Sequence, residues 1–590
     1  MMKTATPNTI LPSKLAANAM AGMAATAIYL VSRLLLTPLV LSYITLAEFG
    51  LWSMCFIILS CASMGAFGVN TTYIRDTARF HAQGRDAEVN RLLSTGVFAM
   101  LVFCILFGLG LFCSLPAILD GFHVAAQMQT TAGVMILGTA AVFGLDLTLG
   151  GFRSIVEGLQ EIALVKKIYT AAALTEMVAI VFFLSQGAGV RGLLYAYIVR
   201  VSLETGACML AARRLLPALR VSPRLISRDH ARRLFIFGGK VQALGGIAIF
   251  LSALDRMVIS AMIGLSAAGL FEVGRKFPFT AKSVSAAAFG PFLPAAANLK
   301  SPPDNGGSGL WTARLKAYLQ VALLALCIAL MPIAWMPTGV GLPPVVSWAL
   351  VLPAGVGAFL LIRRLGPDVN GRKQVPVGPL RRLYLDGLRH INLINTILFA
   401  FLAAVAEPLI TAWVGSEYAT ATGVMRLLAA GYMIQQSTGP VSLIFRGIDR
   451  CGREMEYLLV QLILALAWIP AGAMAYGLTG AAAGIAAGNG TAAIFLFWRS
   501  NRSFQVGLRD FATHTLKPTL LPLILAAVVY TLTRLWPCPQ RAAAVVQIVV
   551  LGLGYIGLLL PLTWKLVLTA DEKKHVLALN PFRRKERQPC

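Results

Sequence analysis

The chain has 590 residues, of which 57% are hydrophobic and only 13% charged. A soluble domain carries roughly 25% charged residues, so this composition excludes an ordinary water-soluble enzyme or a string of soluble domains. A formal net charge of +26, from 51 Lys and Arg against 25 Asp and Glu, sits on that apolar background, and its meaning depends on where the cations lie.

A hydrocarbon core of about 30 Å takes about 20 apolar residues per helix. Sixteen segments qualify, at 16–44, 50–72, 92–113, 131–151, 168–187, 191–211, 234–263, 265–297, 317–335, 344–362, 391–413, 422–445, 456–476, 478–498, 516–534 and 543–564. None alternates at period two as a barrel strand would. The expected fold class is an all-α polytopic integral membrane protein.

Numbered from a cytoplasmic N-terminus, the even connections and both termini carry forty Lys and Arg, from Lys3 and Lys14 to the tail that ends in Arg583, Arg584, Lys585 and Arg587. The odd connections carry three, Arg191, Arg534 and Arg541. This asymmetry is the positive-inside signature, and it predicts both termini on the cytoplasmic side. The first apolar run is too long for a cleavable signal and no small-residue cleavage site follows it, so the first helix itself is expected to direct insertion. Spread over nine segments, the cations fit topology and anionic lipid headgroups rather than nucleic acid.

Side chains arranged for enzyme chemistry are sparse here. The histidines His81, His123, His230, His390, His514 and His575 fall in predicted loops or at span ends, with no His/carboxylate cluster for a metal or a nucleophile triad. There is no GxxxxGK[ST] loop for ATP and no CxxC pair. No predicted outside loop reaches 20 residues, which argues against a large catalytic loop. No cofactor is expected beyond coupling to a proton or sodium gradient.

The basic segment RRLLPALRVSPRLISRDHARR (213–233) divides the chain. The expected organisation is a six-span lobe at 1–212, the linker 213–233, a second six-span lobe at 234–500 interrupted at 300–380, two further spans within 501–566 and a basic tail at 567–590. The lobes carry a weak internal match. SRLLLTPLVLSYITLAEFGLW (32–52) and DRMVISAMIGLSAAGLFEVG (255–274) each place an arginine in an apolar helix and follow it with a short polar turn. A parallel repeat about the membrane normal is a common transporter plan.

These segments resemble the polysaccharide flippase branch of the multidrug/oligosaccharidyl-lipid/polysaccharide exporter superfamily. The resemblance rests on Arg33, Pro38 and EFGLW (48–52), on RDTARFHAQGRDAEVNRLLST (75–95), on LDRMVISAMIGLSAAGLFEVGRKF (254–277) and on AEPLITAWVGSEY (406–418). It covers most of 15–298 and 383–500. Two departures stand out. MGAFG (64–68) lacks the acid that many relatives carry there, and about 80 residues with Gly/Pro-rich flanks intervene between 299 and 381, read as an inserted two-span hairpin.

The resemblance implies a cavity between the lobes, open alternately to each side, and a polyprenyl-(pyro)phosphate-linked oligosaccharide as cargo for O-antigen, capsule or exopolysaccharide assembly in a bacterial inner membrane. Polysaccharide-assembly enzymes and anionic lipids are the expected partners. A multidrug/cation antiporter of the same superfamily is the alternative; a membrane-embedded polymerase or acyltransferase is a third, disfavoured by the missing outside loop and catalytic histidine.

A charge at mid-bilayer costs about 2.5–3.5 kcal/mol on insertion scales, so each in-span charge needs a partner, water or a route to the surface. Eight cations fall inside spans: Arg33, Arg200, Lys240, Arg256, Arg275, Lys276, Lys282 and Arg426. An anionic cargo head calls for cationic contacts, and the candidates are Arg33 and Arg256, then Lys240, Arg275 and Lys276. Structural pairing or snorkelling competes at each, and Glu272 with Arg275 and Lys276, or Arg200 with Glu204, have the spacing of intrahelical pairs. Buried carboxylates can carry a proton; Asp146, Asp255, Glu176 and Glu407 are the candidate coupling acids. Pro38 removes a backbone hydrogen bond and is a candidate bend or gating point.

Overall fold

The computed structural model describes residues 12–64, 68–287, 377–448 and 450–569, with a few isolated positions besides. The predicted inserted spans 317–335 and 344–362, residues 65–67 of the MGAFG stretch and nearly all of the basic tail lie outside the described residues. Among the described residues there are helices and turns and no strand. The protein is an all-α polytopic membrane protein: eight described helices are long and apolar enough to cross a bilayer, with shorter apolar helices at Ile28–Leu41 and Leu46–Ser60.

The first nine helices are α1 (Pro12–Leu41), α2 (Leu46–Met64), α3 (Val69–Ala82), α4 (Asp86–Gly121), α5 (Ala126–Gly158), α6 (Ile162–Ser185), α7 (Val190–Leu215), α8 (Arg228–Met262) and α9 (Leu265–Ala287). After the gap come α10 (Val377–Ala404), α11 (Ala406–Trp413), α12 (Thr420–Gln436), α13 (Gly439–Gly447), α14 (Cys451–Ser503), α15 (Leu508–Phe511), α16 (Leu520–Leu535) and α17 (Arg541–Leu562). Predicted span 50–72 is corrected: a separate, polar helix begins at Val69, after Gly68 in the left-handed conformation. Predicted spans 391–413 and 422–445 each break into two helices, at Val405 and at Ser437–Thr438. The division between 456–476 and 478–498 falls where α14 leaves helical geometry, at Tyr476 and Gly477. There the arms run so close that a Cβ on Gly472 would lie 2.1 Å from the Gly480 carbonyl oxygen, and one on Gly480 2.0 Å from that of Gly472.

Many helices outrun the apolar stretch that identifies them. At 1.5 Å per residue, the 33 residues of α5 extend to about 50 Å, well past the hydrocarbon. Cations that the sequence places in connections, Arg91 and Arg153 among them, therefore sit on helices.

The contacts divide the chain into two compact units. Among the described residues, one holds α1 to α8, α9 as far as Val273, and Ala465–Ala481; the other holds the rest. In the first unit α1 packs on α6, α5 on α4 and α7, and α6 on α7. Its largest described core joins Tyr73 and Phe80 of α3 to Leu92, Leu93 and Met100 of α4 and Phe152, Ile155 and Val156 of α5. In the second unit α10 packs on α12 and α16, and α11 on α17.

The turn before α2 is fixed by a capping box. Thr45 donates its backbone N–H and hydroxyl to Glu48 at 2.8 and 2.9 Å, and the Glu48 N–H returns to the Thr45 hydroxyl at 3.3 Å, which satisfies donors at the helix start. The first turn of α2 then meets the first turn of α9. A Cβ on Gly50 would lie 1.9 Å from the Leu265 carbonyl oxygen, and one on Gly269 2.4 Å from the Leu46 carbonyl oxygen. Only glycine allows backbones this close.

Candidate functional site

Four helices of the first unit bring six charges into a single file. Each helix contributes from one face, since residues four or seven apart lie above one another. Tyr29 and Arg33 come from α1, Asp146 and Arg153 from α5, Tyr169 and Glu176 from α6, and Arg200 and Glu204 from α7. Arg33 donates through one terminal nitrogen to both oxygens of Glu176, at 2.9 and 2.7 Å. Glu176 lies 3.7 Å from Arg200, and Arg200 lies 3.8 Å from Glu204. Glu204 accepts from Arg153 at 2.8 Å, and Arg153 ends the file 3.9 Å from Asp146.

The signs alternate throughout, three guanidiniums against three carboxylates. Glu176 and Glu204 are almost fully buried, at 2% and 5% exposed. A buried carboxylate without a partner is strongly unfavourable, and the order of the file gives each of these two a cation on both sides. Aromatic rings hold the guanidinium planes: Arg33 lies 5.1 Å from the Tyr29 ring centre, and Arg200 lies 5.9 Å from Tyr29 and 5.4 Å from Tyr169. A water-sized pocket of about 10 Å³ opens at the Asp146 end, lined by Asp146, Gly150, Arg153, Glu204, Thr205 and Cys208.

The structure thus brings together Arg33, Glu176 and Asp146 of the sequence candidates. It also adds two groups placed elsewhere by sequence. Arg153, assigned to a cytoplasmic connection, is a helical residue bonded to Glu204. Glu204 does face Arg200 at the expected i,i+4 spacing, but its short bond goes to Arg153. The signal was present: Arg153 follows Asp146 by seven residues, one face of a helix that the apolar window ended too soon.

The remaining candidates are not members of this file. Asp255 is buried on α8 and accepts the Arg256 backbone N–H at 2.8 Å, while the Arg256 guanidinium donates to the Ser252 carbonyl at 3.3 Å on the same helix. Lys240 is also on α8; its side chain lies outside the described residues. Arg275 and Lys276 are on α9, where Arg275 is buried over the Phe279 ring, 4.7 Å from its centre. Glu407, in the first turn of α11, faces Arg426 at 3.2 Å and Arg534 at 3.4 Å. Both of these arginines also lie over the Tyr530 ring. Pro38 falls within the last turn of α1, three residues before its end at Leu41.

In the second unit, in-span polar side chains tie helices together. Lys282 donates to the Gln435 side chain at 2.9 Å, the Gln436 amide to the Lys282 carbonyl at 2.8 Å, and Gln461 to Asn489 across the arms of α14 at 2.8 Å. Ser285 and Asn395 are hydrogen-bonded between α9 and α10.

Comparison with known proteins follows the same lines. The family described as "Polysaccharide biosynthesis protein" matches residues 43–301, which include α3 to α8 and three of the four helices that build the file. No curated protein matches the sequence. Among solved structures, the lipid II flippase MurJ in an inward closed conformation aligns at a TM-score of 0.62 and 10% identity, over 93% of this chain and 99% of that one. A multidrug resistance MATE family transporter of the MOP superfamily, in an inward-facing conformation, aligns at a TM-score of 0.54 and 14% identity, over 83% of this chain and 94% of that one. These two structural neighbours are a transporter and a flippase. The chain shares its fold with these two membrane proteins, and its residues 43–301 carry the sequence pattern of the family described as polysaccharide biosynthesis proteins.

Proposed function

We propose that the protein is a flippase that carries a polyprenyl-(pyro)phosphate-linked oligosaccharide across the bacterial inner membrane for O-antigen, capsule or exopolysaccharide assembly, with both termini cytoplasmic. The observation that carries this reading is the coincidence of the polysaccharide-biosynthesis sequence pattern at 43–301 with a membrane fold shared with a lipid-linked-substrate flippase. Such a cargo has an anionic head, a hydroxyl-rich glycan and a long apolar tail. The tail stays in lipid, and the head needs cations inside the protein. Arg33 is the assigned contact for the (pyro)phosphate, with Arg256 as the second. Asp146, at the cavity end of the ion file, is the first-choice acid for proton or sodium coupling, ahead of Glu176, Asp255 and Glu407.

The test is translocation of a fluorescent lipid-linked oligosaccharide in proteoliposomes. Wild type is expected to move the lipid, and Arg33→Ala and Arg256→Ala to move it more slowly. Export of cationic dyes without movement of the lipid would establish the multidrug/cation antiporter reading instead. Imposed proton and sodium gradients in the same vesicles identify the coupling ion.

A further inference from the structure

An anionic cargo head calls for cationic contacts, yet among the described residues the ion file around Arg33 carries no excess of cations. Arg33, Arg200 and Arg153 are matched one for one by Glu176, Glu204 and Asp146. Arg33 already holds an anion, one guanidinium nitrogen reaching both oxygens of Glu176. A second anion brought beside this neutral file would meet the Glu176 charge at close range, in a medium that screens it poorly. An anionic head therefore reaches Arg33 only if Glu176 gives way.

The file also offers Glu176 a place to go. Arg200 stands 3.7 Å from the same carboxylate, within Coulomb range and beyond a hydrogen bond. A rotation of the Glu176 side chain that lengthens one contact shortens the other, so the buried carboxylate is never left unpaired. The guanidiniums have fixed seats during this change, since Arg33 lies over Tyr29 and Arg200 over Tyr29 and Tyr169. Arg200 in turn can accept a second carboxylate contact, because its other partner, Glu204, takes its short bond from Arg153.

We propose that Glu176 is an exchangeable counter-anion: it occupies Arg33 in the place of the cargo phosphate and passes to Arg200 when the phosphate arrives. This rests on the flippase reading of the site. It makes Glu176 and Arg200 determinants of cargo specificity, because a carboxylate is displaced by a ligand of higher charge density with more acceptor oxygens. A diphosphate qualifies, while a neutral or cationic molecule leaves the Arg33–Glu176 pair closed.

The probe is inorganic pyrophosphate, titrated calorimetrically into the full-length protein in lipid nanodiscs. Glu176→Gln keeps the shape of the side chain and removes the competing charge. It is expected to bind pyrophosphate at least about tenfold more tightly than wild type, and the double variant Glu176→Gln/Arg33→Gln to lose that gain. Glu176→Asp, which keeps the charge on a shorter stem, is expected to lie between and serves if Glu176→Gln does not fold. Arg200→Gln removes the place to which the displaced carboxylate passes, and is expected to slow lipid translocation and to bind pyrophosphate more weakly than wild type. Equal pyrophosphate affinity in wild type, Glu176→Gln and Glu176→Asp overturns the exchange, as does a gain that survives Arg33→Gln. Vesicle translocation separates the two readings. If wild type moves the lipid and Arg33→Gln does not, an unchanged Glu176→Gln affinity defeats the exchange alone. If wild type moves no such lipid, the flippase reading itself falls.

Discussion

Arg153 of α5 and Glu204 of α7, 51 residues apart in sequence, are joined at 2.8 Å. This bond anchors the central pair of the ion file: it holds Glu204 on one side so that Arg200 remains available to Glu176. A carboxylate only 5% exposed cannot lose its hydrogen-bonded cation cheaply. Arg153→Met is expected to lower stability by about 2 kcal/mol. The double variant Arg153→Met/Glu204→Gln, which removes the stranded carboxylate charge, is expected to regain much of it. Thermal unfolding of purified protein in one detergent gives the comparison, and equal midpoints for wild type and Arg153→Met would show that the bond contributes nothing.

The contact between α2 and α9 is made of backbone. Since Gly50 faces the Leu265 carbonyl and Gly269 the Leu46 carbonyl, a methyl group at either position cannot be accommodated by a side-chain rotation. Gly50→Ala and Gly269→Ala are each expected to cost about 1–3 kcal/mol. Gly206→Ala, at a helical position with open space around it, is expected to be neutral. Because both substitutions separate the same two turns, their effects should fall short of additive in the double variant; strict additivity in a melting series would mean that the two contacts are independent.

The break in α14 depends on Gly477, whose φ of +58° and ψ of −137° suit a residue without a Cβ. Gly477→Val is expected to destabilise the hairpin, with protease cleavage near Tyr476 as the readout. Tyr476 is 81% exposed, so a loosened turn is within reach of the enzyme. A cleavage rate equal to wild type would show that the backbone tolerates the side chain.

Orientation is testable at Cys538, a free, partly exposed cysteine in the turn between α16 and α17. With cytoplasmic termini this turn faces outward. In a variant keeping only this cysteine, a membrane-impermeant maleimide is expected to label intact cells. Labelling only after permeabilisation would invert the assigned topology.

The sequence made the membrane architecture readable because burial in lipid imposes a simple rule on composition. The segments 131–151 and 191–211 fall inside α5 and α7, 168–187 overruns the end of α6 at Ser185 by two residues, and Gly477 marks the turn between two apolar runs. The rule says little about polar ends, where a helix continues without apolar residues; Arg153 was lost there. It is also silent on which helices are neighbours. Arg33 and Glu176, 143 residues apart, were both singled out as charges in need of partners, but pairing them requires knowing that α1 packs on α6. Arg200 and Glu204 were legible as a local pair because their spacing lies within one helix, and even there the shorter bond to Arg153 needed the packing of α5 on α7.

The paired glycines have one more implication. Leu46 and Gly50 are spaced as Leu265 and Gly269 are, and each leucine carbonyl meets the other segment's glycine. Exchange of the two segments leaves the contact unchanged, which is the defining property of an isologous interface between two identical subunits. Here both surfaces belong to one polypeptide. Two positions far apart in the sequence therefore share a single steric constraint, and a larger residue at one glycine cannot be offset by altering the other, since both are already at the smallest size an amino acid can have.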